Sequence, residues 1–165
     1  LAVNGKAKDY LDGFLSEKFG SAEIIQTIGG LIPMRWREKF VKGNVALLGD
    51  AAGQVKPTTG GGVYMGMASA KILAKAIVKG NLDLYEKEWM EKIMPELEHG
   101  YKIRAFLNRL SDNELDKIFA LLENEKIRNL ILTHGDMDRP SALVKAALGN
   151  PGLIAEFLPY LRYLW

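Results

Sequence analysis

Two short strings of this sequence hold residue types that could do chemistry. They are Gly49-Asp50-Ala51-Ala52-Gly53, and Gly60-Gly61-Gly62 preceded by Pro57, Thr58 and Thr59. The first sets one carboxylate beside backbone almost free of side-chain bulk. The second opens a helical pattern with glycines, so the unpaired N–H groups of the helix start are unshielded and can approach a planar, electron-rich ligand. The positive end of the helix dipole favours negative charge at the same place. Taken alone, the glycine run also admits a plainer reading, close packing of a helix on a strand, and Asp50 that of a turn or cap aspartate.

Patterns of strand and helix flank these strings on both sides. Val45-Ala46-Leu47-Leu48 is a continuous apolar run, expected as a strand covered on both faces, with Gly49-Asp50 at its carboxyl edge, where ligands bind α/β sheets. A loop over Ala51–Thr59 follows, then a helix from the three glycines to about Lys79, stopped by Gly80 and Asn81. Upstream, Asn4 is expected to cap a helix over Lys6–Phe19 that lies on a sheet and stops at Gly20, and the isoleucine-rich Ala22–Ile32 reads as a strand. Downstream, Leu84–Leu110 is one helical pattern that Pro95 should kink or divide. Ser111 or Asp112 with Glu114 opens a helix through Leu122, and shorter helices are expected at Glu125–Leu132, Ser141–Leu148 and Leu153–Leu164.

Composition removes whole classes of function. Lys and Arg total 22 against 20 Asp and Glu, split 8 to 6 through Gly60 and 14 to 14 beyond it, so no basic face is available to neutralise phosphates and nucleic acid is not an expected partner. The absence of cysteine excludes disulfides, thiolate nucleophiles and thiolate metal sites. His99 and His134 stand far apart without metal-ligand spacing and read as structural or surface residues; no metal is expected. No apolar run reaches the roughly 20 residues of a spanning helix, and no signal peptide is visible, so the expected location is cytoplasmic. A start at Leu1 in place of Met leads to the expectation of a fragment or a processed chain.

Asn44–Ala70 resembles the second FAD-contact segment of flavoproteins related to para-hydroxybenzoate hydroxylase, and most of all that of geranylgeranyl reductases. Ile28-Gly29-Gly30-Leu31-Ile32-Pro33 resembles the strand end before this segment in that family, and Leu84-Tyr85 with Glu88-Trp89 the helix after it. The resemblance implies an α/β fold with a helical C-terminal region: the C-terminal portion of a two-domain, Rossmann-like FAD-binding fold of the para-hydroxybenzoate hydroxylase type. Residues 1–43 would then end the substrate domain, 44–80 would hold the FAD-contact strand, loop and helix, and 81–165 would be the helical region. It further implies that Asp50 hydrogen-bonds a ribityl hydroxyl, that the amides of Gly60, Gly61 and Gly62 face the flavin's pyrimidine edge, and that Pro57 packs beside the isoalloxazine. Gly49, Ala51, Thr59 and Val63 complete the implied cofactor-binding set. A reduced flavin is anionic near N1 and O2, which is the charge such a helix start favours.

The G-x-G-x-x-G fingerprint for the ADP half of FAD is not found in this sequence, nor is the Tyr-x-Trp-x-Phe-Pro motif associated with prenyl substrates. Both are expected upstream of Leu1. The expected partners are therefore the missing N-terminal FAD-binding portion and a prenyl lipid or other apolar substrate, and FAD should be held weakly or not at all by these residues alone. The implied activity is flavin-dependent reduction of isoprenoid double bonds, with no catalytic side chain to nominate. Electron transfer of the quinone-linked type, flavin hydroxylation and a non-catalytic helical docking module stay open as alternatives. Glu86, Glu88 and Glu91 read as the solvated face of a helix, and Lys56 as a surface lysine. The stripe Leu153, Phe157, Leu161 and Leu164, broken by Pro159, should close the core or a subunit contact, with peripheral membrane contact at most.

Overall fold

A computed structural model describes residues 6–152, which form two compact units divided between Ile32 and Pro33. The architecture is mostly helical, with one small two-stranded sheet. The expected final helix, Leu153–Leu164, and the expected cap Asn4 lie outside the described residues. Among these, no helix is long and apolar enough to cross a membrane.

The first unit holds α1, Ala7–Phe19, which ends at Gly20 in the left-handed region with φ 58°. The helix matches the sequence expectation; among the described residues its own unit contains no strand. No residue of α1 is buried, and its apolar Tyr10, Phe14 and Phe19 are exposed. Ala22–Ile32 forms no regular element and no strand pairing, and Ile25 and Leu31 are exposed. A run of β-favouring side chains becomes a strand only where a neighbour takes up its backbone groups, and no described strand does so here.

The second unit begins with an irregular, bent segment leading into a tight hairpin of β1, Val41–Lys42, and β2, Val45–Ala46, paired antiparallel. The doubly covered strand expected at Val45–Leu48 is therefore corrected. The ladder is two residues long and Val45 is 65% exposed, because Gly43 with φ 57° turns the chain back at once. A 3-10 turn, Gly49–Ala52, follows, and then the loop to α2, Val63–Val78. Helix α2 starts three residues beyond Gly60, with Gly62 as its cap. It ends in a Schellman pattern, in which Asn81 N donates to Ala76 O and Gly80 N to Ile77 O, with Gly80 at φ 66°.

The long downstream pattern is divided as expected: α3 covers Asp83–Lys92 and α4 covers Met94–Leu107, with Pro95 in the first turn of α4, where its missing N–H costs nothing. Next comes α5, Asp112–Ala120, opened by a full capping box between Ser111 and Glu114. Helices α6, Glu125–His134, and α7, Pro140–Leu148, complete the described chain.

The core sits where α2 meets α3. Met65, Ser69, Ile72 and Ala76 are buried at helical spacing on α2; Tyr85, Trp89, Ile93 and Leu97 recur every four residues through α3 into α4. Phe40 closes the core from the hairpin side, edge-on to Tyr85 at 5.1 Å and to Trp89 at 5.2 Å. Such pairs add about 0.5–1.5 kcal/mol beyond the area they bury. Among the described residues each buried side-chain N or O atom has a partner: Trp89 Nε1 donates to Ser69 Oγ at 2.8 Å, which donates to Met65 O at 2.7 Å.

Candidate functional site

The Gly49–Gly53 turn is fixed from three sides. Gly49 adopts φ 63° and Gly53 φ 71°, both in the left-handed region. A side chain at 53 would also stand 2.7 Å from Trp36 Cα, so the glycine lets the turn lie directly on the backbone at residues 35–36. Arg37 grips the same turn twice, its N–H donating to Ala52 O at 3.0 Å and its Nε to Ala51 O at 2.8 Å. From beneath, fully buried Gln54 accepts from Gly49 N at 2.9 Å and donates to Tyr85 Oη at 2.7 Å, which donates to Leu47 O at 3.1 Å. Burial raises the Tyr85 pKa, with the Gln54 hydrogen bond opposing the shift in part. Tyr85 thus keeps its proton and serves the network as a neutral donor.

The second string is folded back toward the first. Lys56 N donates to Gly61 O at 3.1 Å and Gly60 N to Lys56 O at 2.8 Å, with Gly60 at φ 72°. Thr59 Oγ1 accepts from Gly61 N at 3.3 Å. Helix α4 holds the outer side of this loop. Buried Pro57 rests on Gly100, whose side chain, if it had one, would approach Pro57 Cδ at 3.4 Å, and Arg104 Nη1 donates to Thr58 O at 3.3 Å.

The two strings meet at Asp50 and Gly62. A Cβ at residue 62 would stand 2.8 Å from Asp50 Oδ1, so the exposed carboxylate lies over the glycine that caps α2. Among the described residues no side chain caps this helix, and no acidic residue lies in its first turn. The N–H groups of that turn are therefore left for an outside acceptor. Gly49, Asp50, Ala51, Thr59, Gly60, Gly61, Gly62 and Val63 all fall in this stretch of surface, with Val63 exposed and Pro57 buried against α4. These features fit a flat ligand that presents acceptors to backbone amides and a hydroxyl to a carboxylate, as FAD does.

Two side chains depart from their expected surface roles. Glu86 is half-buried and its Oε2 accepts from Phe40 N at 2.9 Å and Val41 N at 3.2 Å, tying α3 to the hairpin. Lys56 is covered and pairs with Asp138. Both partnerships span more than 40 residues, beyond any local pattern. Gln54, Arg37 and Arg104 were likewise invisible as supports of the site. The only local hint was the polar Gln54 inside an otherwise small and apolar run. Among the described residues no group of three or more metal-ligating side chains comes together. His99 Nδ1 lies 2.6 Å from Pro95 O within its own helix, and His134 is exposed in the last turn of α6.

Comparison with known proteins gives this geometry a family. The family model described as Lycopene cyclase protein matches residues 8–138, and the chain belongs to that family. Within it the likeness is to the C-terminal part of geranylgeranyl reductase-type flavoproteins. An uncharacterized protein of Methanocaldococcus jannaschii is 38% identical over 155 residues, covering 87% of this chain and 40% of that protein. Digeranylgeranylglycerophospholipid reductase 2 of Methanothermobacter thermautotrophicus is 34% identical over 131 residues, covering 73% of this chain and 34% of that protein. The digeranylgeranylglycerophospholipid reductase of Methanocella arvoryzae is 30% identical over 172 residues, covering 96% of this chain and 42% of that protein. The chain thus spans well under half the length of these relatives. No solved structure matches it.

Proposed function

We propose that this chain is the FAD-contacting part of a flavin-dependent oxidoreductase that reduces isoprenoid carbon–carbon double bonds of prenyl lipids. The observation that carries the reading is the Asp50 carboxylate seated over Gly62 at the uncapped start of α2. The substrate class is supported by the names of two relatives, both digeranylgeranylglycerophospholipid reductases. Bound FAD would supply the redox chemistry, delivering hydride with a proton to the double bond.

The chain's own residues bind and orient. Asp50 accepts a hydrogen bond from a ribityl hydroxyl, and the first-turn amides of α2, backed by the helix dipole, favour the reduced cofactor's negative charge. Arg37, Gln54 and Tyr85 hold the Asp50 turn, and Gly100 and Arg104 hold the Pro57–Thr58 loop, so the donors are in place before the ligand arrives. In this reading residues 44–80 are the cofactor segment, and the remaining FAD contacts come from polypeptide beyond this chain.

The test uses the full-length protein, a chemical reductant and a lipid bearing geranylgeranyl chains, with products read by mass spectrometry. The expected result is a yellow protein and a lipid that gains one hydrogen molecule for each double bond reduced. A yellow protein that leaves the lipid intact but passes electrons to a quinone would replace reduction by electron transfer. A colourless protein that cannot be reconstituted with FAD would overturn the flavin reading.

A further inference from the structure

Nothing near Lys56 in the sequence distinguishes it from a solvated lysine, yet its side chain is only 17% exposed. Its Nζ lies 2.5 Å from Oδ1 of Asp138, itself 31% exposed, across 82 residues of sequence. The two backbone hydrogen bonds between residue 56 and residues 60 and 61 fold the lysine over the glycine run. Its stem occupies the space beside Gly61: a Cβ there would meet Lys56 Cε at 3.1 Å and Nζ at 3.6 Å. The ammonium is therefore held at the glycine adjacent to the one covered by Asp50.

Asp138 reaches this point from the connection between α6 and α7. Its N–H donates to Asp136 Oδ1 at 2.7 Å, and the start of α7 is tied to α4 by Glu96, which accepts from Ser141 N at 3.2 Å and Ser141 Oγ at 2.6 Å. The C-terminal helices thus fix the carboxylate that holds the lysine.

We propose that Lys56 is the cation of the flavin cradle and that Asp138 is a positioning residue, which keeps the ammonium over Gly61 and offsets part of its charge. The inference rests on the reading of Gly60–Gly62 as the FAD site. A cation beside the cradle stabilises anionic reduced flavin over the neutral oxidised form, and a carboxylate paired with that cation weakens the effect. The two members of one ion pair should therefore act on the flavin in opposite directions.

The experiment is a spectroelectrochemical titration of FAD bound to the full-length protein, with melting temperature recorded for every variant. Lys56→Met should lose on the order of a tenfold preference for reduced over oxidised FAD, a midpoint about 30 mV more negative for a two-electron couple. Lys56→Arg should restore most of that preference. Asp138→Asn, which removes the charge but keeps an oxygen to hold the ammonium, should shift the midpoint the other way; if it fails to fold, Asp138→Gln carries the same expected sign. Shifts of the same sign at both positions, or unchanged midpoints with lowered melting temperatures, would reduce the pair to a structural clasp and overturn the proposal. Failure of the unsubstituted protein to bind FAD would appear before any variant is made and would overturn the flavin reading itself.

Discussion

Replacing Gly62 with Ala should displace the Asp50 carboxylate while leaving the fold in place. Gly62 caps α2 with φ −104° and ψ −17°, a right-handed conformation open to alanine. Losing a flexible glycine typically stabilises by about 0.4–1 kcal/mol, and alanine's weakness as a cap offsets a similar amount. The new Cβ would stand 3.5 Å from Val55 Cγ2, an ordinary contact, and 2.8 Å from Asp50 Oδ1, which is too close. Asp50 is exposed, so its side chain is the part that moves. If that carboxylate accepts a charge-assisted hydrogen bond from FAD, its displacement costs about 1.5–3 kcal/mol, or roughly a 10- to 150-fold rise in Kd. Asp50→Ala should cost the same, and the double variant no more than either, because the contact can be lost only once. FAD titration by fluorescence quenching, with thermal melts alongside, measures all three. Single-variant affinities within about threefold of the parent, or losses that add in the double variant, would mean that the Asp50 carboxylate over Gly62 does not hold FAD.

Other perturbations test the support of the site. Tyr85→Phe leaves Gln54 Nε2 and Leu47 O without their buried partner and should cost about 1–3 kcal/mol in urea denaturation. Burial raises the Tyr85 pKa, so its contribution to stability is full below the unfolded tyrosine value of about 10 and is lost as pH climbs above it. Melts across alkaline pH should show this decline in the parent and less of it in Tyr85→Phe. Gly53→Ala places a side chain against the Arg35–Trp36 backbone at φ 71° and should cost about 2 kcal/mol or more, read as a lower melting temperature.

Helix boundaries were the most legible part of the fold because their signals are local. The Ser111–Glu114 box, Pro95 at the start of α4 and the left-handed glycines at 20 and 80 act within one turn of chain. The strands were less legible. Val45–Leu48 is too short for its apolar run to reveal whether neighbours cover it, and the observed hairpin is set by Gly43. Ala22–Ile32 shows the same weakness, since β-favouring residues do not supply a pairing partner. In the candidate site, the glycine and aspartate strings stand out in the sequence because what they offer a ligand is mainly bare backbone. The supports Glu86, Gln54, Arg104 and Lys56 could not, as each acts on a partner brought near only by the packing of α3, α4 and the α6–α7 connection.

Amide hydrogen exchange on the full-length protein, with and without saturating FAD, shows whether the glycine-opened start of α2 receives the flavin. The first-turn amides at Gly62, Val63, Tyr64 and Met65 lack intrahelical acceptors, and no side chain caps them. FAD should slow exchange at these positions, together with the Gly49–Gly53 turn, and leave α5 and α6 unchanged. Unaltered exchange at residues 62–65 with FAD demonstrably bound, or protection confined to other parts of the chain, would mean that the flavin binds elsewhere.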